Sequence, residues 1–342
     1  MNDLIYLAFG NNTHVALSKC FHGYQYIRFI NSGSFGCVLE VEHQRTQIHY
    51  AAKVILKSSV GDQDKIPEVE ILKRLDHPNI MKYYESFVIQ DEQNIDVIII
   101  ITKYYPNGNL LQYILDHENL DLEKKMKIVQ QIISGLRYLH GRGIAHCDIK
   151  LENFLLDSKC NVVLSDFGFS HSNITTSDQK FKRGSVRYSA PELFRQFTSI
   201  TLKQLDIYAL GHVIYEVFTR QTLLKHGDKK TMARQILQGR LNFHRTTDDR
   251  LKALVKKCTD QNPNKRPTVE EIIKDEFFSN SKIFVSQDDE YKPYINKDKV
   301  IRIEVDQNED CIQKNKEFQM LLDYANKYET LAFNHQAKRK QQ

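Results

Sequence analysis

The chain has 342 residues, 41% hydrophobic and 27% charged, enough to bury one large core or two lobes in a soluble, globular protein. Its net charge of +5 is modest and its lysines are dispersed, which argues against a nucleic-acid partner. The most apolar run, Val97 to Thr102, is far too short for a membrane span, and Met1 to Gly10 carries Asp3 with no basic residue ahead of its apolar patch, unlike a secretory signal.

From Tyr24 apolar and polar residues alternate, break at "NSGSFG", resume in "CVLEVEH" and, after a further turn, continue in "IHYAAKVIL", the pattern of short antiparallel strands. "PEVEILKRL" then places Val69, Leu72 and Leu75 on one face and predicts a helix that stops at "DHPN". Two more strands are expected in "MKYYESFVI" and "DVIIIIT", followed by the break "YPNGN". Beyond it helices dominate, in "LEKKMKIVQQIISGLRYLH", "QLDIYALGHVIYEVFT", "DDRLKALVKKC" and "TVEEIIKDEFF", the last opened by a Thr268/Glu271 capping box. The expected class is α+β, a small β-rich lobe with one main helix joined to a larger helical lobe. After about Asn280 apolar residues thin out, and a tail is expected. Within it Phe318, Leu321, Leu322, Ala325 and Tyr328 recur at helical spacing, so a helix near 313–333 would either dock on this chain or a partner, or remain weakly helical. Six cysteines, Cys20, Cys37, Cys147, Cys160, Cys258 and Cys311, lie far apart without metal-ligand spacing, which suggests reduced thiols and a cytoplasmic protein.

Several fragments carry chemistry. A glycine-rich turn, "INSGSFGCV", lets backbone N–H groups approach anionic oxygens, although alone such a turn is more often a plain hairpin. Lys53 lies among apolar strand residues and needs a partner if buried, for which Glu68 on the next helix is the candidate; alone it reads as a surface lysine. "IAHCDIKLEN" contributes Asp148, Lys150 and Asn153, and "LSDFGFS" adds Asp166 after an apolar strand. Two carboxylates and an amide oxygen suit Mg²⁺, a hard cation that prefers oxygen ligands. Each fragment could arise by chance, but not all of them in this order and spacing.

Together these motifs resemble the eukaryotic protein kinase family, from about Tyr24 to Phe278. The resemblance implies the bilobal protein-kinase fold, with an extension at 1–23, an N-lobe at 24–102, a hinge at 103–108, a C-lobe at 109–278 and a tail at 279–342. It implies ATP and Mg²⁺ as cofactors and protein substrates with Ser/Thr acceptors. Asn31, Gly33 and Gly36 would belong to the phosphate-covering loop, and Lys53, paired with Glu68, would bind the α/β-phosphates. Asp148 would accept the substrate hydroxyl proton, Lys150 would stabilise the transferring phosphoryl group, and Asn153 and Asp166 would hold the metal. Ile30, Val38, Ala51 and Leu155 would sandwich the adenine, with Thr102 as gatekeeper and backbone groups from Lys103 to Tyr105 at its edge. "SAPE" at Ser189 to Glu192, "DIYALG" from Asp206 to Gly211, and Arg266 in "NPNKRPT" also match, and the family pattern implies a Glu192–Arg266 ion pair.

Lys150 and Ser185 fit the serine/threonine type, and "KLENFLLD" with "SDFGFS" looks most like the calcium/calmodulin-dependent and AMP-activated group. Glu152 and Glu216 stand where basophilic relatives read arginine on the substrate, while Asn109 replaces a glutamate. Three positions depart from the pattern. Asn31 replaces the first loop glycine and would keep the turn by its tolerance of left-handed backbone. Pro67 implies a helix that starts late, just before Glu68. Cys147 replaces the arginine before the catalytic aspartate, which in the family binds an activation-segment phosphate; activity is therefore expected not to depend strictly on phosphorylation of Ser170, Ser172, Thr175, Thr176 or Ser177. The alternatives are a nucleotide-binding pseudokinase or scaffold, and a small-molecule phosphotransferase, which generally lacks the "SAPE" segment.

Overall fold

A computed structural model describes residues 4–8, 14–33, 36–59, 66–172, 175–176, 185–195, 200–225 and 227–279. The proposed tail helix, Ser177 and most of the loop up to Gly184 lie outside them. The chain divides into two units, one formed by Met1–Asn119, Gln131–Tyr138 and Leu151–Ser170 and the other by Leu120–Gln130, Leu139–Lys150 and His171–Gln342.

The first unit is built on strands. A hairpin of β1 (Leu4–Ala8) and β2 (His14–Ser18) precedes a six-stranded antiparallel sheet of β3 (Cys20–Phe21), β4 (Tyr24–Gly33), β5 (Gly36–His43), β6 (Ile48–Leu56), β7 (Tyr83–Gln90) and β8 (Asp96–Lys103), in the order β3-β4-β5-β6-β8-β7. Strand alternation sorts the side chains onto two faces. Cys37, Leu39, Val41, Ala52, Val54, Ile99 and Ile101 are buried on one, in a cluster with Ile5, Leu7, Val15 and Leu17 of the hairpin. Each such side chain contributes about 1.5–3 kcal/mol when fully buried, so the hairpin is part of the core and not a loose extension. Hydrogen bonds fix its edge, from Ala16 N to Asp91 Oδ2 (3.3 Å) and from Glu92 N to Ala16 O (3.4 Å). The opposite face carries Val38, Ala51, Lys53, Ile100 and Thr102, placed side by side by the register Val38↔Lys53↔Ile100 and Ala51↔Thr102.

Helix α1 (Pro67–Leu72) opens with proline at its first position, carries Glu68 and Glu70 in its first turn, and buries Val69, Ile71 and Leu72. Its six residues are fewer than the expected run, and Leu75 is buried in the turn beyond it. Helix α2 (Leu110–Asp116) was not apparent from periodicity; Asn109, read above as a replaced glutamate, is its N-cap and accepts Gln112 N at 2.9 Å. In α3 (Leu122–Gly141), of which Gln131–Tyr138 belong to this unit, a Cβ at Gly135 would come within 2.8 Å of the Asn79 carbonyl, so this close approach requires glycine. The ribbon of β9 (Phe154–Leu156) and β10 (Val162–Leu164) completes this unit.

The second unit is helical. Residues 175–176 (β11) and 200–201 (β12) form a short pairing. Helix α4 (Leu202–Thr219) is buried along most of its length, as suits a helix that is apolar nearly all round. Helix α5 (Lys229–Leu237), short and largely polar in sequence, was not foreseen; Asp228 caps it. Helix α6 (Asp249–Cys258) follows, capped by Asp248. The run "TVEEIIKDEFF" divides into α7 (Val269–Ile273), with the Thr268/Glu271 capping box formed, and α8 (Glu276–Ser279). The break falls at Asp275, whose carboxylate accepts Phe277 N and is paired with Lys257. Among the described residues no helix is long and apolar enough to cross a membrane.

Candidate active site

In the strand-rich unit, Lys53 brings two carboxylates together. Its Nζ lies 2.7 and 2.8 Å from the two oxygens of Glu68 and 2.9 Å from Asp166 Oδ1. Burial works against the ammonium, but Asp166 and Glu68 outweigh it and hold the Lys53 pKa above its ordinary value. The late start of α1 at Pro67 therefore leaves Glu68 within reach. Asp166 stands at φ +61, an uncommon left-handed backbone for a residue other than glycine. Asn153 is buried nearby in sequence, and its carbonyl accepts both Ser165 N and Ser165 Oγ at 2.8 Å. Asp166 and Asn153 thus offer a carboxylate and an amide, the hard oxygen donors that Mg²⁺ takes one or two at a time beside water and phosphate. Among the described residues there is no cluster of three or more His, Cys, Asp or Glu that could hold a metal ion by itself.

The glycine-rich turn joins β4 to β5, which pair as far as Gly33↔Gly36. A Cβ at Gly36 would lie 2.0 Å from the Val54 carbonyl, at φ +146, so only glycine fits. Asn31 does not use the left-handed conformation expected of it. It lies in β4 opposite Val38, and its side chain accepts Ser32 N at 2.8 Å. Ile30 sits at a register shift between Phe29 and Asn31, and is partly exposed. Leu155 pairs with Val163 and bridges to Asn109, while Thr102 Oγ1 reaches the Ala51 carbonyl at 3.5 Å. In the segment after β8, Lys103 N donates to Lys82 O and the Tyr105 hydroxyl accepts Lys82 N.

In the helical unit, Asp148 is buried with its Oδ2 2.6 Å from Lys150 Nζ, and its Oδ1 accepts Ser185 N at 3.1 Å. Lys150 Nζ also donates to Ser185 Oγ at 3.3 Å. Ser185 therefore ties the end of the loop before "SAPE" to the Asp148/Lys150 pair. The backbone leading to Asp148 is held by Asp206, a role that motif matching did not assign. Its carboxylate accepts His146 N (2.8 Å) and Cys147 N (2.7 Å) and lies 2.9 Å from His140 Nε2. Those bonds support Cys147 at φ +64. Burial, then the Asp206 and Asp148 charges, raise the Cys147 thiol well above its ordinary pKa, so it is no nucleophile at neutral pH. Glu192 and Arg266 form a buried bidentate pair, 2.7 Å at both contacts. Glu216, one of the two acidic positions read above as facing substrate arginine, is buried and accepts the Tyr188 hydroxyl at 2.8 Å.

Residues 24–278 match the protein kinase domain family. The chain belongs to that family. Its kinase domain is similar to rat serine/threonine-protein kinase SIK1, with 29% identity over 269 residues, covering 78% of this chain and 34% of the relative. Human NUAK family SNF1-like kinase 1 is 31% identical over 259 residues, 73% of this chain and 38% of the relative. Dictyostelium discoideum 3-phosphoinositide-dependent protein kinase B is 31% identical over 277 residues, 78% and 30%. The chain therefore spans about a third of the length of these curated relatives. Similarity to the first two agrees with the resemblance to the calcium/calmodulin-dependent and AMP-activated group.

Proposed function

We propose that the chain is an ATP-dependent serine/threonine protein kinase, with 24–278 as the catalytic domain, 1–23 as an extension and 279–342 as a tail. The observation that carries this reading is the Lys53 ammonium held between Glu68 and Asp166. Phosphoryl transfer needs positioning and charge neutralisation more than covalent chemistry. Lys53, fixed by Glu68, would orient the α/β-phosphates beneath the turn of Asn31, Gly33 and Gly36. Asp166 and Asn153 would hold Mg²⁺, which when bound neutralises phosphate charge. Ile30, Val38, Ala51, Thr102 and Leu155 would enclose the adenine, and Lys103 and Tyr105 would present backbone groups to it.

Asp148 would orient the acceptor hydroxyl and take its proton, while Lys150 would stabilise the moving phosphoryl group. Similarity to rat serine/threonine-protein kinase SIK1 supports a serine/threonine acceptor. A preference for basic substrates would rest on Glu152, since Glu216 is engaged by Tyr188. Free thiols at the described cysteines support a cytoplasmic location.

The test is transfer of radiolabel from ATP to generic protein substrates by wild type, Lys53→Met and Asp166→Asn. Wild type should label serine and threonine, and both variants should fold and fall near background. Wild type that binds ATP without labelling would instead support a nucleotide-binding scaffold. Tyrosine-only labelling would overturn the acceptor assignment.

A further inference from the structure

Strand β5 buries a carboxylate that has no part in phosphoryl transfer. Glu40 is 6% exposed and lies opposite Ala51, so its side chain shares the sheet face of Val38, Ala51, Lys53 and Thr102. A lone buried carboxylate is strongly unfavourable, and two neighbouring strands supply its partners. Arg28 Nε of β4 lies 2.7 Å from Glu40 Oε2 as a charge contact, and His49 Nδ1 of β6 lies 2.7 Å from Oε1. Arg28 in turn engages Tyr104, from the segment after β8. Arg28 Nη2 donates to its hydroxyl at 2.7 Å, and its ring lies 6.4 Å from that of His49. Burial first, and then the nearby Glu40 charge, raise the Tyr104 pKa.

The next residue is anchored elsewhere. Tyr105 is buried, and its hydroxyl accepts Lys82 N at 3.2 Å, from the segment ahead of β7. Successive side chains of an extended chain project to opposite sides. The backbone from Lys103 to Tyr105 is therefore braced from two directions, by Tyr105 to β7 and by Tyr104 to the strands that flank the glycine-rich turn. An exposed ion pair such as Arg28 with an acid usually contributes little, but here the acid is buried and the tyrosine is shared.

We propose that Tyr104, acting through Arg28 and Glu40, is a positioning residue for the nucleotide: it fixes the Lys103–Tyr105 backbone against β4 and β5 and so sets the width of the adenine slot. This rests on the ATP reading above. Tyr104→Phe keeps the ring and removes only the hydroxyl, and Arg28→Ala alters a side chain that is 57% exposed, so both should fold.

The experiment is calorimetric titration of the full chain with ATP and Mg²⁺, beside steady-state kinetics. Each single substitution should raise the Kd for ATP by about three- to tenfold, the loss expected of one hydrogen bond. The double variant should be little worse than either single, because both remove the same tether. KM for ATP should follow Kd, with much smaller changes in kcat and in KM for a peptide substrate, and Arg28→Lys should recover part of the loss. A wild-type Kd in Tyr104→Phe would overturn the tether alone, as would additive effects in the double variant. Equal rises in Kd for ATP and in KM for peptide would also overturn it, as general loosening. Wild type that binds no ATP would overturn the kinase reading and the tether together.

Discussion

Replacing Arg266 by methionine tests how firmly the segment after "SAPE" is held. The guanidinium is fully buried and makes four hydrogen bonds, two at 2.7 Å to Glu192, one at 2.8 Å to Gln204 O and one at 2.9 Å to Asp260 O. It also lies 5.0 Å from the centre of the Tyr208 ring. Methionine fills part of the space but leaves the Glu192 carboxylate, 3% exposed, without its counter-charge. Breaking a buried pair from one side costs about 3–5 kcal/mol, and two carbonyls that lose donors add about 1 kcal/mol or more. The expected loss is about 4–6 kcal/mol, a large part of the 5–15 kcal/mol of a typical domain. Glu192→Gln keeps the volume and leaves the carbonyl bonds of Arg266 in place, so it should cost less, about 2–3 kcal/mol. Urea unfolding followed by circular dichroism reads both; with a slope of about 3 kcal/mol/M, Arg266→Met should lower the midpoint by roughly 1.3–2 M. A loss below about 1 kcal/mol, or a greater loss in Glu192→Gln, would refute Arg266 as the hub of this packing.

His212 is buried in α4 with neither ring nitrogen hydrogen-bonded, and burial, reinforced by the Arg187 charge, pushes its pKa down to about 3. Its folded form stays neutral while the unfolded chain takes up a proton below about pH 6.5, so stability is full above that pH and falls as pH drops toward 3. The loss should reach about 2 kcal/mol at pH 5, and His212→Leu should flatten this part of the profile; an unchanged slope would count against it. Leu17→Ala, at a site 1% exposed, should cost about 2–5 kcal/mol in thermal or urea unfolding, and a loss under 1 kcal/mol would mean that the hairpin is not core. Iodoacetamide should label the exposed Cys20 well before Cys147, and phosphatase treatment should leave activity within a few-fold; near-complete loss of activity on phosphatase treatment would show that Cys147 has not released the enzyme from phosphorylation.

Motif and periodicity made the strand-rich and helical halves legible because spacing of two and of three to four residues survives in the letters. The Lys53–Glu68 pair was readable for a similar reason, since a lysine among apolar strand residues demands a partner. What stayed hidden depended on long-range neighbours or on short elements. The sequences "LIYLA" and "HVALS" are only five residues each, and nothing local says which sheet they cover. Helix α2 has seven residues, and its cap, Asn109, looked like a substrate-reading position. Asp206 holds the backbone of residues some sixty positions earlier, a relation carried by tertiary structure alone.

The hairpin of β1 and β2 also has a timetable. Its strands end at Ser18, yet the sheet they cover is complete only once β8 reaches Lys103, 85 residues later. At synthesis rates of about 5–20 residues per second, those apolar strands wait about 4–17 s for the last of their partners. During that interval Ile5, Leu7, Val15 and Leu17 can reach Leu39, Val41, Ala52 and Val54 of β5 and β6 but not Val97, Ile99 and Ile101 of β8, so part of their apolar surface stays uncovered. The hairpin is therefore made before the sheet that covers it is complete.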